Sequence, residues 1–200
     1  MRPAAVILAT VALGAAAAGV TTASGRPART SAISAFPSPA PTIIARPIAR
    51  VAGTLRPGVV VRAAALGHRV FVDAAHGFAL ASVGQAQYPA ATVDAGRTWR
   101  VSGPALHLDA AQAPLGVCEV GALDRRVYFA DGCGEVVDAT SDGGRHWWRA
   151  FLGGGVLAVT GSGGRLVAFV EAVSDSGPTA LTWVYVSGDG GRHWRYEDRL

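Results

Sequence analysis

Short runs of β-branched and aromatic residues, broken by glycine, aspartate or serine, recur along the last two thirds of the chain. Runs of this length, ended by turn formers, predict strands. A first group falls at 69–72, 78–83 and 90–93. A second falls at 116–120, 126–130 and 135–140, and a third at 156–160, 166–173 and 181–187. One more strand follows each group, at 98–101, 146–151 and 193–197. No stretch here carries apolar residues at helical spacing. The expected fold class is all-β, in three units of four strands.

One motif separates the third and fourth strands of every unit. It reads Thr92-Val93-Asp94-Ala95-Gly96-Arg97-Thr98-Trp99, then Thr140-Ser141-Asp142-Gly143-Gly144-Arg145-His146-Trp147, then Ser187-Gly188-Asp189-Gly190-Gly191-Arg192-His193-Trp194. An aspartate in a tight turn accepts hydrogen bonds from N–H groups just ahead of it. Glycine two residues later adopts a positive φ that other residues resist. The tryptophan starts the next strand and buries a large ring. Asp94, Gly96, Trp99, Asp142, Gly144, Trp147, Asp189, Gly191 and Trp194 therefore read as turn stabilisers, not catalysts.

This pattern resembles the Asp-box, or BNR repeat, of sialidase-type and photosystem II assembly-factor-type β-propellers. It departs from the family at His146 and His193, where threonine is usual. Phe71 to Phe78, containing Asp73, His76 and Gly77, resembles the D-x-x-H-G-W segment of the assembly-factor propellers. The resemblance implies a partial propeller of about three four-stranded Asp-box blades, near 66–103, 115–151 and 155–200. It also implies that the boxes lie away from the binding face. Propellers usually close with about 4–8 blades. Three blades leave three arrangements open: two chains closing a six-bladed ring as a homodimer, an arc capped by its own spacer and an extra strand at 58–65, or a shortened relative of a longer protein.

The N-terminal quarter is different material. Met1 and Arg2 precede an alanine-rich apolar run over 4–20, and small residues follow at 21–25. A charged start, an apolar stretch and a small-residue exit predict a secretory signal over 1–24, cleaved near Ala23. The expected location is extracytoplasmic, secreted or in the cell envelope. Residues 25–57 carry prolines at 27, 37, 39, 41, 47 and 57 and no acid, so they predict an extended Pro/Arg-rich linker. The folded domain is expected over 58–200.

Charge follows this division. All 18 basic residues are arginine, against 14 acids. From 58 onward 12 arginines face 14 acids, so that part carries −2 and the basic excess sits in the leader and linker. A domain of this sign excludes nucleic acid as the expected partner. The linker suits peripheral contact with an anionic cell surface. An even cysteine count in an exported chain predicts a Cys118–Cys133 disulfide.

Concentrated chemistry is lacking. The histidines at 68, 76, 107, 146 and 193 have no metal-ligand spacing. No serine stands in a G-x-S-x-G elbow, and no cofactor is implied. The loops opposite the boxes supply the candidate contact residues Tyr88, His107, Asp109 and Asp175. The expected function is a non-enzymatic binding or scaffold protein whose partner is a protein or polysaccharide. The alternative is a carbohydrate-binding module, with Trp148, Trp183 and Tyr88 stacking on sugars, or a sialidase-like glycoside hydrolase. A hydrolase needs an arginine cluster, an activated tyrosine and acid/base carboxylates. Tyr128, Tyr185, Tyr196, Glu119, Glu135 and Glu171 are present but stand in no recognisable motif.

Overall fold

The apolar runs become strands. A computed structural model describes residues 38–108, 119–131, 134–173 and 180–200. These hold β1 (Thr42–Ile44), β2 (Arg46–Pro47), β3 (Val60–Val61), β4 (Leu66–Phe71), β5 (Gly77–Val83), β6 (Ala86–Thr92), β7 (Trp99–Val101) and β8 (Glu119–Ala122). They continue with β9 (Tyr128–Asp131), β10 (Val136–Thr140), β11 (Trp148–Phe151), β12 (Gly155–Ser162), β13 (Arg165–Val173), β14 (Ala180–Ser187) and β15 (His193–Arg199). The one helical element among the described residues is a 3₁₀ turn, Ala63–Ala65. The chain is all-β.

Three antiparallel sheets form, each of five strands rather than four. The first is ordered β3-β7-β6-β5-β4, the second β2-β11-β10-β9-β8 and the third β1-β15-β14-β13-β12. Four consecutive strands make each meander. The fifth comes from residues 42–61, which act as a strap. The strap pairs with the third sheet, then the second, then the first, before the chain builds them in the opposite order.

Its hydrogen bonds are short and direct. Ala45 N–H donates to Arg192 O at 2.9 Å, Ile48 N–H to Trp147 O at 2.8 Å and Gly58 N–H to Val101 O at 2.8 Å. The linker expected over 25–57 thus contributes β1 and β2. Its prolines do not forbid this, because an edge strand can spare the donor that proline lacks. Pro47 sits at such an edge, opposite Trp148.

The core lies in the seams between sheets. Phe78 and Leu80 of the first sheet meet Val120, Tyr128, Ala130 and Trp147 of the second. Phe78 and Tyr128 stack with ring centroids 3.6 Å apart. Between the second and third sheets lie Phe129, Val137, Ala139, Leu166, Ala168, Val170, Trp183, Tyr185 and Trp194. Burying an aromatic ring of this size contributes roughly 2–3 kcal/mol each.

The two outward faces differ. On the first sheet Ala79, Ala81, Tyr88, Ala90, Trp99 and Val101 are buried, with Leu55, Val61 and Leu66 against them. Leu55 N–H donates to the Tyr88 hydroxyl at 3.3 Å. Residues 55–66 thus form a roof where another sheet would otherwise stack. On the third sheet Phe169 pairs opposite Val184, and Val167 opposite Val186. Their neighbours Val170 and Trp183 point into the seam, so these four point away from it.

Candidate functional site

The three motif turns share one bonding scheme. Thr92 Oγ1 donates to Asp94 Oδ1 at 2.7 Å and accepts Gly96 N–H at 3.0 Å, while Thr98 N–H donates to Asp94 Oδ1 at 2.9 Å. In the second turn Thr140 donates to Asp142 at 3.0 Å, Gly144 N–H to Thr140 at 3.0 Å and His146 N–H to Asp142 at 3.0 Å. The third repeats this with Ser187, Asp189, Gly191 and His193 at 3.0, 2.8 and 3.0 Å. The two histidines standing where Thr98 stands add a bond. Nδ1 of His146 and of His193 each donates to the second carboxylate oxygen at 2.6 Å.

These bonds set the charge state. The Thr98 N–H and the Thr92 hydroxyl hold Asp94 below the usual carboxylate range. Burial pushes Asp142 up, but the His146 N–H, the His146 ring and Thr140 outweigh it and hold it low. Asp189 balances the same way, with His193 and Ser187 outweighing burial.

Each tryptophan faces back along the chain. Trp194 packs toward the second sheet, Trp147 toward the first, and Trp99 under the roof. Trp99 and Trp194 donate their indole N–H to Gly96 O and Gly191 O, both at 3.1 Å. The buried Trp147 N–H finds no acceptor among the described residues. The glycines allow this approach. Gly144 and Gly191 have φ of +91° and +92°, and a Cβ there would strike Ser102 O and the Ala139 side chain of the preceding sheet.

The turns between first and second strands fall at the same end. Asp73 accepts Ala75 N–H at 2.8 Å, His76 N–H at 2.9 Å and His76 Nδ1 at 2.9 Å. Its other oxygen accepts Arg125 Nε of the second sheet at 2.7 Å. The His76 ring, more than any other partner, holds the Asp73 carboxyl far below its ordinary range. A cleft of about 600 Å³ opens between the second and third sheets, beside Asp124, Arg126, Ser141 and Asp189. Its carboxylates are already engaged: Asp124 accepts Arg126 N–H and Val127 N–H at 2.7 and 2.8 Å.

Of the candidate contact residues, Tyr88 and His107 lie within the described residues. His107 is exposed, with a φ of +23°. Tyr88 is buried under the roof at 4% exposure, so its ring presents no face to a ligand. Asp109, Asp175, Cys118 and Cys133 lie outside the described residues, as does the secretory signal. Of the aromatics considered for sugar stacking, Trp183 is in the seam, and Trp148 packs against it with Arg192 5.1 Å above its ring.

Two buried carboxyls escaped the sequence reading. Asp138 is fully buried in the first–second seam. Arg149 grips it with two bonds of 2.7 and 2.6 Å and reaches Leu106 O at 3.2 Å. Burial pushes Asp138 up, while the bidentate guanidinium pulls it back and is itself pushed up by the carboxylate. Asp131 is also buried, and burial pushes it up to about 7. Glu119 pairs opposite it across β8 and β9 and adds to the rise. The signal for Asp138 was an acid inside the apolar run 136–140, with an arginine in the next strand. Asp131, at the end of an apolar run, gave no such signal. Among the described residues no three His, Cys, Asp or Glu side chains gather as metal ligands.

No protein-family model, curated protein or solved structure matches the chain.

Proposed function

We propose that the chain is an exported, non-catalytic binding or scaffold protein built on three Asp-box propeller blades, each extended by one strap strand. The observation that carries this reading is the common hydrogen-bond scheme of the three Asp/Gly/Trp turns, each on a meander stacked against its neighbour. The aspartates at that end are tied within turns or to the adjacent sheet, which supports a structural role for the boxes. The binding face is then the opposite end, where His107 is exposed. Its partner is a polypeptide, because the aromatics that would stack on a sugar are packed in the seams or beneath the roof.

The test is affinity cross-linking of the full chain to an envelope fraction, run beside His107→Glu. A polypeptide captured by the parent and lost with the variant is the expected result. A tryptophan fluorescence shift with polysaccharide and no captured polypeptide overturns the choice of partner. Turnover of a fluorogenic sialoside overturns the non-catalytic reading.

A further inference from the structure

We infer that the outward face of the third sheet is a self-association surface, on which two copies pair face to face about a two-fold axis. Among the described residues, the substantial strand contacts of the third sheet with another sheet are all with the second, on its opposite face. At its centre Phe169 pairs opposite Val184, and Val167 opposite Val186; the first three are half-buried and Val186 is buried. Ala158 and Thr160 flank them on β12. On β15, Arg195 pairs opposite Val186 and Asp198 opposite Val184. Arg165 and Glu171 share the face, at the two ends of β13, because alternate residues of a strand point the same way.

The arrangement is complementary to itself. A two-fold axis lying in the interface, across β13 at Ala168, reverses the strand direction in the second copy. Arg165 then lies over the second copy's Glu171, and Val167 over its Phe169. By the same operation Val184 lies over Val186, Arg195 over Asp198 and Ala158 over Thr160. Apolar meets apolar, and Arg165, Glu171, Arg195 and Asp198 each meet an opposite charge, while Glu197 stays with Arg165 and Arg195 of its own copy. A two-fold interface requires this, since each contact must serve in both directions. The face is large enough. β13 has nine residues in a sheet of five strands, which at ordinary strand dimensions spans about 30 by 20 Å. That footprint of roughly 600 Å² approaches the ~800 Å² per partner of a stable interface. The roof fills the corresponding face of the first sheet, so pairing ends at a closed dimer rather than a filament or a six-unit ring.

Sedimentation equilibrium of the full chain tests this, with circular dichroism checking each variant's fold. The expected result is a dimer. Arg165→Glu and Glu171→Arg should each weaken it at least about tenfold, since like charges then face each other. The double variant Arg165→Glu/Glu171→Arg should recover affinity to within about threefold of the parent. Arg165 and Arg195 also contact Glu197 of their own chain, at 3.7 and 3.2 Å, so both swaps are repeated on a Glu197→Gln background; Arg195→Asp/Asp198→Arg is the second swap, with the same expected rescue. A monomer at all concentrations overturns the inference, as does a dimer indifferent to both swaps.

Discussion

The first and third sheets carry similar cores and opposite outer faces. On the first, small residues and two aromatics, Tyr88 and Trp99, lie beneath a roof made by the chain's own residues 55–66. On the third, Phe169, Val167 and Val184 face outward half-buried, beside the buried Val186, with no substantial contact to another described strand on that face. Four-stranded units that stack always leave two outer faces, and the strap can cover only the one where it ends. It begins on the third sheet as a single edge strand and finishes on the first as strand, 3₁₀ turn and roof. The difference shows how one end of an open stack is closed within the chain, by the strap where it finishes.

The largest effect should separate the two faces directly. Tyr88→Ala should cost about 3–4 kcal/mol, because it empties a filled site. Phe169→Ala, assayed where the chain is monomeric, should cost about 1 kcal/mol or less, because it faces outward. Urea denaturation measures both, and equal losses would mean the third face is covered as well. Next come the turn glycines. Gly191→Ala combines a positive φ with a collision against Ala139 and should cost about 2–4 kcal/mol. Gly96→Ala, on the roofed sheet, meets only the Phe71 ring and its own turn's tryptophan, so strain alone should cost about 1–2 kcal/mol.

Acidity separates the interior from the turns. Asp131 has a folded pKa of about 7, against about 3.9 for an unfolded aspartate. As pH rises the unfolded chain ionises first, so stability falls between about pH 4 and pH 7. Asp131→Asn should therefore raise the Tm at pH 8 and leave it nearly unchanged at pH 4. Asp142 and Asp189 are held low. Their contribution is present above about pH 4 and is lost as pH falls through their folded values. Asp142→Ala should lower the Tm at pH 7, and the difference should shrink toward pH 2.

The smallest effect is a gain. Ala95 occupies a left-handed conformation, φ +60°, where the other two turns have glycine. Ala95→Gly should stabilise by about 0.5–1 kcal/mol in thermal denaturation. No gain would mean that the turn holds that conformation without strain.

Strands and turns were legible because their causes are local. A β-branched run favours extension wherever it sits, and an aspartate four residues before an accessible N–H closes the same turn in every unit. All four strands of each meander could be anticipated, with β8 running on to Ala122, past the expected end at Val120. The candidate contact residues were harder. Tyr88 reads as a loop aromatic, and only the returning strap buries it. Asp138 reads as a break in an apolar run, and only Arg149 on the adjacent strand makes its burial tolerable.

By itself, the sequence determined an all-β chain, three repeated units and the bonding inside their turns, because those depend on residues a few positions apart. Tertiary structure alone decided that a proline-rich linker would become the fifth strand of two of the three sheets. It also decided that, among the described residues, one outer face would be roofed and the other not. Edge pairing and face burial depend on which distant surfaces meet, and residues of ordinary composition serve either outcome until that meeting is set.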